Sequence, residues 1–392
     1  MPNHLMRGLT MGKIQRSTQN NRVLSLDALR GFNMFWIIGG EKLADGLARL
    51  KFPGAHFVAV QLNHSDWNGF TFYDLIYPMF IFVAGVSVAF SIKRHLEQGD
   101  NPIRILGRIL KRTLLLFLLG VYMSNSGLDI HGWLTNIRWM GVLQRIALCY
   151  CGTAIMVLFI RVRHQAAIAV AILIAYWLLL KFTIVPGFGA GVWNPPEANF
   201  ANYFDRLFLP GRLYYDTWDV QGLLSTFPAL VTCQMGVFSG FWLRKDWKVI
   251  GRGKPIAKKE KAILLALAGI LLVGLGILWG LDFPINKKIW TSSFVLLTGG
   301  LSTIIMALFY WIIDIVGYKK WAFPFIVIGL NSIFIYLAMN IIPFDKILNS
   351  LFGRELTIYL GAWQTFFLAL STLAAGWFIL YLMYKRKIFL RL

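Results

Sequence analysis

Three cysteines in 392 residues, Cys149, Cys151 and Cys233, are too few and too poorly spaced for a disulfide framework or a zinc site. Cys149 and Cys151 stand two apart on an expected helix, so they point to different faces and cannot pair. All three read as small buried residues. Charge is scarce as well. Charged residues make up 15% of the chain, against about 25% in soluble domains. Acidic residues are the scarcer kind, 18 Asp and Glu against 39 Lys and Arg, which leaves a net charge of +21. Long polar stretches are missing too. The two longest loops, 44–72 and 187–219, hold about thirty residues each, too few for an independent core. Loops of that length are usually lids or binding loops. There is no internal repeat and no low-complexity segment. The first 22 residues are polar and basic, and the apolar run after them lacks a small-residue cleavage site, so no cleavable signal peptide is expected.

Hydrophobicity is what the chain has in abundance. It is 57% hydrophobic and 15% aromatic, with a mean hydropathy of +0.61. Apolar runs recur from Leu24 to Leu382, each about the 20 residues needed to cross a bilayer. The expected fold class is all-α: a polytopic membrane protein with about ten transmembrane helices, since only helices and closed barrels satisfy their backbone in lipid. The spans fall near 24–43, 73–92, 107–124, 138–160, 166–186, 220–243, 262–281, 290–316, 322–342 and 361–384. Trp133, Trp139, Trp193, Trp218, Trp290 and Trp321 lie near span ends, as interfacial anchors do. The expected organisation is a basic cytoplasmic tail over 1–22, one transmembrane domain over 23–386, and a short cytoplasmic tail over 387–392.

The placement of the positive charge argues against nucleic acid as a partner. Lys93, Arg94, Arg104, Arg108, Lys111 and Arg112 fall between spans 2 and 3. Arg161 and Arg163 follow span 4, and Arg244 to Lys261 separate spans 6 and 7. Lys319, Lys320, Lys385, Arg386, Lys387 and Arg391 complete the set. Ten spans put every cluster on one side. The opposite loops, 44–72, 125–137, 187–219, 282–289 and 343–360, are poorer in Lys and Arg. The positive-inside rule then puts both termini in the cytoplasm, with membrane lipid as the partner of the basic loops.

Polar residues inside spans are costly and usually functional. Asp27 and Arg30 are three apart in span 1 and can pair. Arg138 begins span 4, with Gln144 and Arg145 about 10 Å deeper. Asp219 and Gln221 open span 6, and Asn331, Ser332 and Asn340 lie in span 9. Singly, each is explained by a helix–helix hydrogen bond. Together they imply a polar cavity, and a guanidinium as deep as Arg145 needs a carboxylate, a phosphate or water.

Of six histidines, His4, His95 and His164 fall in tails or basic loops, and His56 and His131 in outer loops. His64 alone has a dense neighbourhood, with Asp66, Trp67, Asn68 and Asp74 within ten residues at the mouth of span 2. Histidine is the usual general base near neutral pH, and a carboxylate orients its ring. Spacing alone leaves this reading beside that of an interfacial structural histidine. In loop 187–219, Trp193-Asn194-Pro195-Pro196-Glu197 and Leu213-Tyr214-Tyr215-Asp216 suit either stacking on sugar rings or anchoring at the interface.

Several runs occur in a telling order. They are Leu24-Ser25-Leu26-Asp27-Ala28-Leu29-Arg30-Gly31, then His64-Ser65-Asp66-Trp67-Asn68-Gly69 followed by Asp74-Leu75-Ile76-Tyr77-Pro78. Gly141-Val142-Leu143-Gln144-Arg145, Gly222-Leu223-Leu224-Ser225-Thr226, Asn286-Lys287-Lys288-Ile289-Trp290 and Gly329-Leu330-Asn331-Ser332 complete the series. From Arg22 to Asn340 the chain resembles the heparan-alpha-glucosaminide N-acetyltransferase family and its bacterial relatives. The resemblance implies a multi-pass acetyltransferase of a bacterial inner membrane. Acetyl-CoA would be the donor, entering from the cytoplasm, and an amino sugar of glucosaminide type on the periplasmic side the acceptor. It implies that His64 is catalytic, and the residues around it add Asp66 or Asp74 as the group that orients its ring. Trp67, Asn68 and Trp193 would meet the sugar, and Arg30, Arg112, Gln144 and Arg145 would bind the CoA. No metal is called for, and a homodimer is compatible with the sequence. An asparagine implicated shortly before the histidine in animal members has no clear match, the region here reading Gly39-Gly40-Glu41-Lys42. The competing reading is a transporter of an amino sugar or another solute.

Overall fold

The computed structural model describes residues 23–50, 53–125, 136–244 and 255–390. The expectations placed on 1–22, His131, Trp133, Lys245, Lys248, Arg252, Lys254 and Arg391 lie outside the described residues.

The fold is all-α, as the hydropathy demands. Its helices are α1 (Leu24–Ala48), α2 (Ala55–Gln61), α3 (Phe72–Glu97), α4 (Pro102–Ser124), α5 (Val142–Phe159), α6 (Val162–Phe182), α7 (Phe200–Phe208) and α8 (Thr226–Arg244). They continue with α9 (Lys258–Trp279), α10 (Ser292–Phe309), α11 (Phe323–Leu330), α12 (Ser332–Ile341), α13 (Phe344–Leu360) and α14 (Gln364–Lys385). Among the described residues the only sheet is a two-stranded hairpin, Ile184–Val185 against Gly189–Ala190.

Seven helices are long and apolar enough to cross a membrane, and eight if α11 and α12, bent by 78° at Asn331, count as one broken span. The expected number was ten. The two shortfalls, near 24–43 and 107–124, are helices of 25 and 23 residues, α1 and α4. Their charges set them apart: Asp27, Arg30, Glu41, Lys42 and Asp45 in α1, and Arg104, Arg108, Lys111 and Arg112 in α4.

Glycines let the central helices approach to backbone contact, as small residues do in membrane bundles. A Cβ added at Gly85 of α3 would lie 1.8 Å from the Cys233 carbonyl oxygen of α8, and one at Gly236 would lie 1.9 Å from that of Phe82. The same reciprocal contact joins α1 to α11 through Gly31 and Gly329. Buried hydroxyls on α10 satisfy themselves locally: Thr298, Ser302 and Thr303 each donate to the carbonyl four residues back. The break at Asn331 is filled by the chain itself. Asn331 Nδ2 donates to the Ile388 carbonyl, and the Leu390 amide donates to Asn331 Oδ1.

At the opposite end, loop 187–219 packs as a cap. An ion pair anchors it: Arg138 Nε and Nη2 donate to the two oxygens of Asp219 at 2.8 and 2.7 Å, both residues being buried. The other long loop, 44–72, holds the end of α1 and the short helix α2.

Candidate active site

Helix α3 begins at a polar knot. Asp74 is its N3 residue and is fully buried. Its Oδ2 accepts from the Ser65 and Thr71 amides, each at 3.2 Å. These bonds satisfy amides that the helix start and the loop before it would otherwise leave without partners. They also fold 63–71 back over the helix end, where the Thr71 hydroxyl donates to the Asn63 carbonyl. The result holds His64 beside its partner. His64 Nδ1 lies 2.9 Å from Asp74 Oδ1, and the Tyr73 ring sits 4.7 Å from the imidazole.

Two further charges converge on the ring. Glu41 Oε1, on α1, lies 3.8 Å from His64 Nε2. Lys287 Nζ lies 2.8 Å from Nδ1, 3.0 Å from Nε2 and 3.4 Å from Asp74 Oδ1. The side chains grade from wet to dry: Glu41 is 63% exposed, His64 41% and Lys287 9%. Burial pushes the Lys287 amine down to about 8, against the upward pull of Asp74 and Glu41.

The loop carrying Lys287 is tightly built. Asn286 Oδ1 accepts from the Lys288 and Ile289 amides, its Nδ2 donates to Asn68 Oδ1, and Gly69 N–H donates to the Ile285 carbonyl. Trp290, at the end of the loop, adopts a left-handed φ of +53°, rare for an indole-bearing residue. It is held there by its Nε1 donating to Thr232 and by edge contacts with Tyr77 and Phe294.

Beside the knot, Trp67 Nε1 donates to the Trp193 carbonyl, and the Trp67 ring meets Trp218 edge-on at 5.3 Å. Tyr215 stacks on Trp218 at 4.4 Å. Lys288 donates to the Asp66 carbonyl and lies 6.0 and 5.7 Å from the Trp67 and Trp218 rings. Together they make an aromatic wall with one ammonium along it.

A cavity of about 350 Å³ runs beside α3 from the other end of the bundle. Arg30, Ser87, Ser91, Arg112 and Leu390 line it at one end, and Tyr77 and Val142 at the other. Arg30 Nη2 donates to Ser87, and the Arg112 guanidinium lies over the Tyr150 ring. From Ser91 to Tyr77 is about 21 Å of helical rise, and Tyr77 is one turn from Asp74.

The sequence-derived site residues divide. His64 and Asp74 are brought together. Trp67 and Trp193 are joined, while Asn68 bonds to Asn286. Asp66 is exposed, and its backbone carbonyl rather than its carboxylate makes the contact to Lys288. Asp74 Oδ1, 2.9 Å from His64 Nδ1, is the carboxylate at that ring nitrogen. Arg30 and Arg112 line the cavity. Gln144 and Arg145 do not: Gln144 Nε2 donates to Ser124, and Arg145 turns to the Gly222 carbonyl and Ser225 under the Trp290 ring. The deep guanidinium is thus met by a hydroxyl, a carbonyl and an indole face, and the arginines on the cavity wall are Arg30 and Arg112. Lys287 and Glu41 were not among the expected site residues. Lys287 and Lys288 are a cation pair in an outer loop otherwise poor in Lys and Arg, a local break of the charge asymmetry that marks them.

The catalytic-region model of heparan-alpha-glucosaminide N-acetyltransferase matches residues 22–275. The Mus musculus protein of that name is 27% identical over 95% of this chain and 61% of its own length. The Homo sapiens protein is 28% identical over 83% of this chain and 55% of its own length. The chain therefore spans less than two thirds of the relatives it matches.

Proposed function

Because the chain belongs to the heparan-alpha-glucosaminide N-acetyltransferase family, matched over residues 22–275, we propose that it transfers an acetyl group from acetyl-CoA to the amine of a glucosaminide-type sugar across a membrane. One observation carries the reading. Helix α3 bears the His64–Asp74 pair at one end and walls an arginine-mouthed cavity along the rest of its length. The pantetheine arm would lie along the cavity, with the CoA phosphates at Arg30 and Arg112 and the thioester near Tyr77 and His64. The amino sugar would enter from the opposite, periplasmic face, against Trp67 and Trp218.

In the transfer the amine nitrogen bonds to the thioester carbon, the C–S bond breaks, and CoA leaves as the thiolate. His64 takes the proton that the amine loses, and Asp74 steadies the imidazolium that forms. Glu41, 3.8 Å from Nε2 and exposed, lies on the proton's way to water. A covalent route through an acetylated His64 uses the same geometry. The two separate when acetyl-CoA is given without a sugar, since only the covalent route then places a hydroxylamine-labile acetyl group on His64.

The test is acetyl transfer by the purified protein, read as CoA thiol release and N-acetylglucosamine formation from acetyl-CoA and glucosamine. His64→Ala should lower the rate by about 10²–10⁴ and leave acetyl-CoA binding unchanged. Wild-type rates in His64→Ala, or a folded protein that binds no acetyl-CoA, would sink the reading. A transporter reading draws on the 78° break between α11 and α12, since broken helices line transporter sites. That break is already occupied by the chain's own residues 388–390. Uptake of labelled glucosamine into vesicles without acetyl-CoA would revive it.

A further inference from the structure

Acetyl transfer to an amine meets a complication at this site, because the site contains an amine. Lys287 Nζ lies within 3.0 Å of both His64 nitrogens. A thioester carbon placed for attack beside His64 therefore lies beside a primary amine of the acceptor's own chemical class. The amine is largely sealed from solvent, with 9% of the side chain exposed. The Asn286 turn and the strained Trp290 fix the loop that carries it.

We propose that Lys287 is an internal acceptor: when acetyl-CoA is bound and no sugar is present, its Nζ is acetylated and the enzyme is silenced. The inference rests on the acetyltransferase reading above. The Lys287 nitrogen bonds to the thioester carbon, the C–S bond breaks, CoA leaves as the thiolate, and His64 accepts the nitrogen's surplus proton. The product is an amide. Unlike an acetyl-imidazole it does not pass its acetyl group on, and it removes the positive charge between His64 and Asp74.

Protonation guards the residue. Asp74 on α3 and Glu41 on α1 favour the ammonium, whereas burial and Lys288 on the same loop favour the free amine; His64 and Tyr73 complete the surroundings. Only the free amine attacks. The fraction in that form rises about tenfold per pH unit below about 8 and levels off above it. A bound sugar competes by occupying the same carbon.

The experiment uses the full-length protein in detergent, incubated with acetyl-CoA across a pH series, with and without glucosamine, and read by peptide mass spectrometry. The expected result is one acetyl group on Lys287, rising with pH and levelling near 8, suppressed by glucosamine, and matched by loss of transferase activity. Exposed Lys319 and Lys320 report background chemical acetylation and should stay far below it. Lys287→Arg should take up no acetyl group in that loop. Retained activity after incubation, with Lys287 unmodified while glucosamine is acetylated normally, overturns the inference and leaves the transferase reading intact. Equal labelling of Lys287, Lys319 and Lys320 also overturns it. Labelling of Lys287 that resists hydroxylamine, in a sample whose glucosamine is not turned over, supports it and shifts the doubt to the identity of the sugar.

Discussion

Asp74 faces His64 with one carboxylate oxygen and the N-terminus of its own helix with the other. Oδ1 lies 2.9 Å from His64 Nδ1, while Oδ2 accepts from the Ser65 and Thr71 amides. The group that orients the imidazole is thus the same group that starts helix α3. A substitution at Asp74 strikes chemistry and folding together.

Asp74→Ala should cost about 1 kcal/mol of stability from the lost cap. It should also reduce acetyl transfer by about 10²–10⁴, as removal of an effective base would. Asp74→Asn keeps an oxygen for the Ser65 and Thr71 amides, so it should recover thermal stability more fully than activity. Melting curves and single-turnover rates on the two variants check this. Equal recovery of both would mean that the carboxylate charge has no catalytic part.

The cavity arginines predict a division of labour. Losing a charge-assisted hydrogen bond to a phosphate costs about 1.5–3 kcal/mol, roughly 10–100-fold in Kd. Arg112→Ala should weaken acetyl-CoA binding by that amount, measured calorimetrically. Arg145→Met should leave the Kd where it was, because Arg145 spends its contacts on Gly222, Ser225 and Trp290. A large loss at Arg145 with none at Arg112 would reverse the assignment.

Asp205 on α7 supplies a pH dependence of stability. Its Oδ1 accepts from the Leu223 and Leu224 amides, and burial raises its carboxyl to about 7. Because the folded pKa is raised, the folded state binds more protons than the unfolded between pH 4 and 7. This contribution is full below the unfolded value and fades as pH rises through about 7. The wild type should therefore melt lower at pH 8 than at pH 5.5 by this route. Asp205→Asn, uncharged throughout, should reduce the difference. Tryptophan fluorescence melts at the two pH values read it, and an unchanged difference in the variant would rule Asp205 out.

Topology is open to direct labelling. Helix α3 has 26 residues and is about 39 Å long, enough to separate its ends by a bilayer. Cysteines placed at exposed Asn68 and exposed Gln98 should then label from opposite sides in intact cells. The expectation from the charge asymmetry is that Asn68 lies outside, in which case an impermeant maleimide labels Asn68→Cys and spares Gln98→Cys. The reverse pattern would invert the proposed direction of acetyl transfer.

What could be read from the sequence follows the range of the interactions. His64 and Asp74 are ten residues apart and the cap that joins them is local, so spacing brought Asp74 forward as a partner, but it left Asp66 equally open. The all-α class followed from hydropathy for the same reason. Lys287 is 223 residues from His64, and only packing of loop 285–291 against loop 62–71 brings it in. Arg145 was read as a charge in need of a carboxylate, a phosphate or water. Its contacts are a hydroxyl, a carbonyl and an aromatic face, which single residues in distant segments do not announce. The count of ten is not reached where charge enters the helix: α1 and α4 carry side chains whose burial or exposure only the neighbouring helices decide.

Pro78 lies one turn below Asp74 inside α3. Proline has no N–H, so the Asp74 carbonyl, four residues earlier, receives no helical hydrogen bond from it. Below that point the helix is clamped to α8 through Gly85 and Gly236. The rod therefore has a joint just under its tip and a vice around its shaft. The turn that carries Asp74, and His64 with it, is thus held by one backbone hydrogen bond fewer than the shaft beside the cavity, which leaves the His64–Asp74 pair more freedom to tilt than the clamped helix below it.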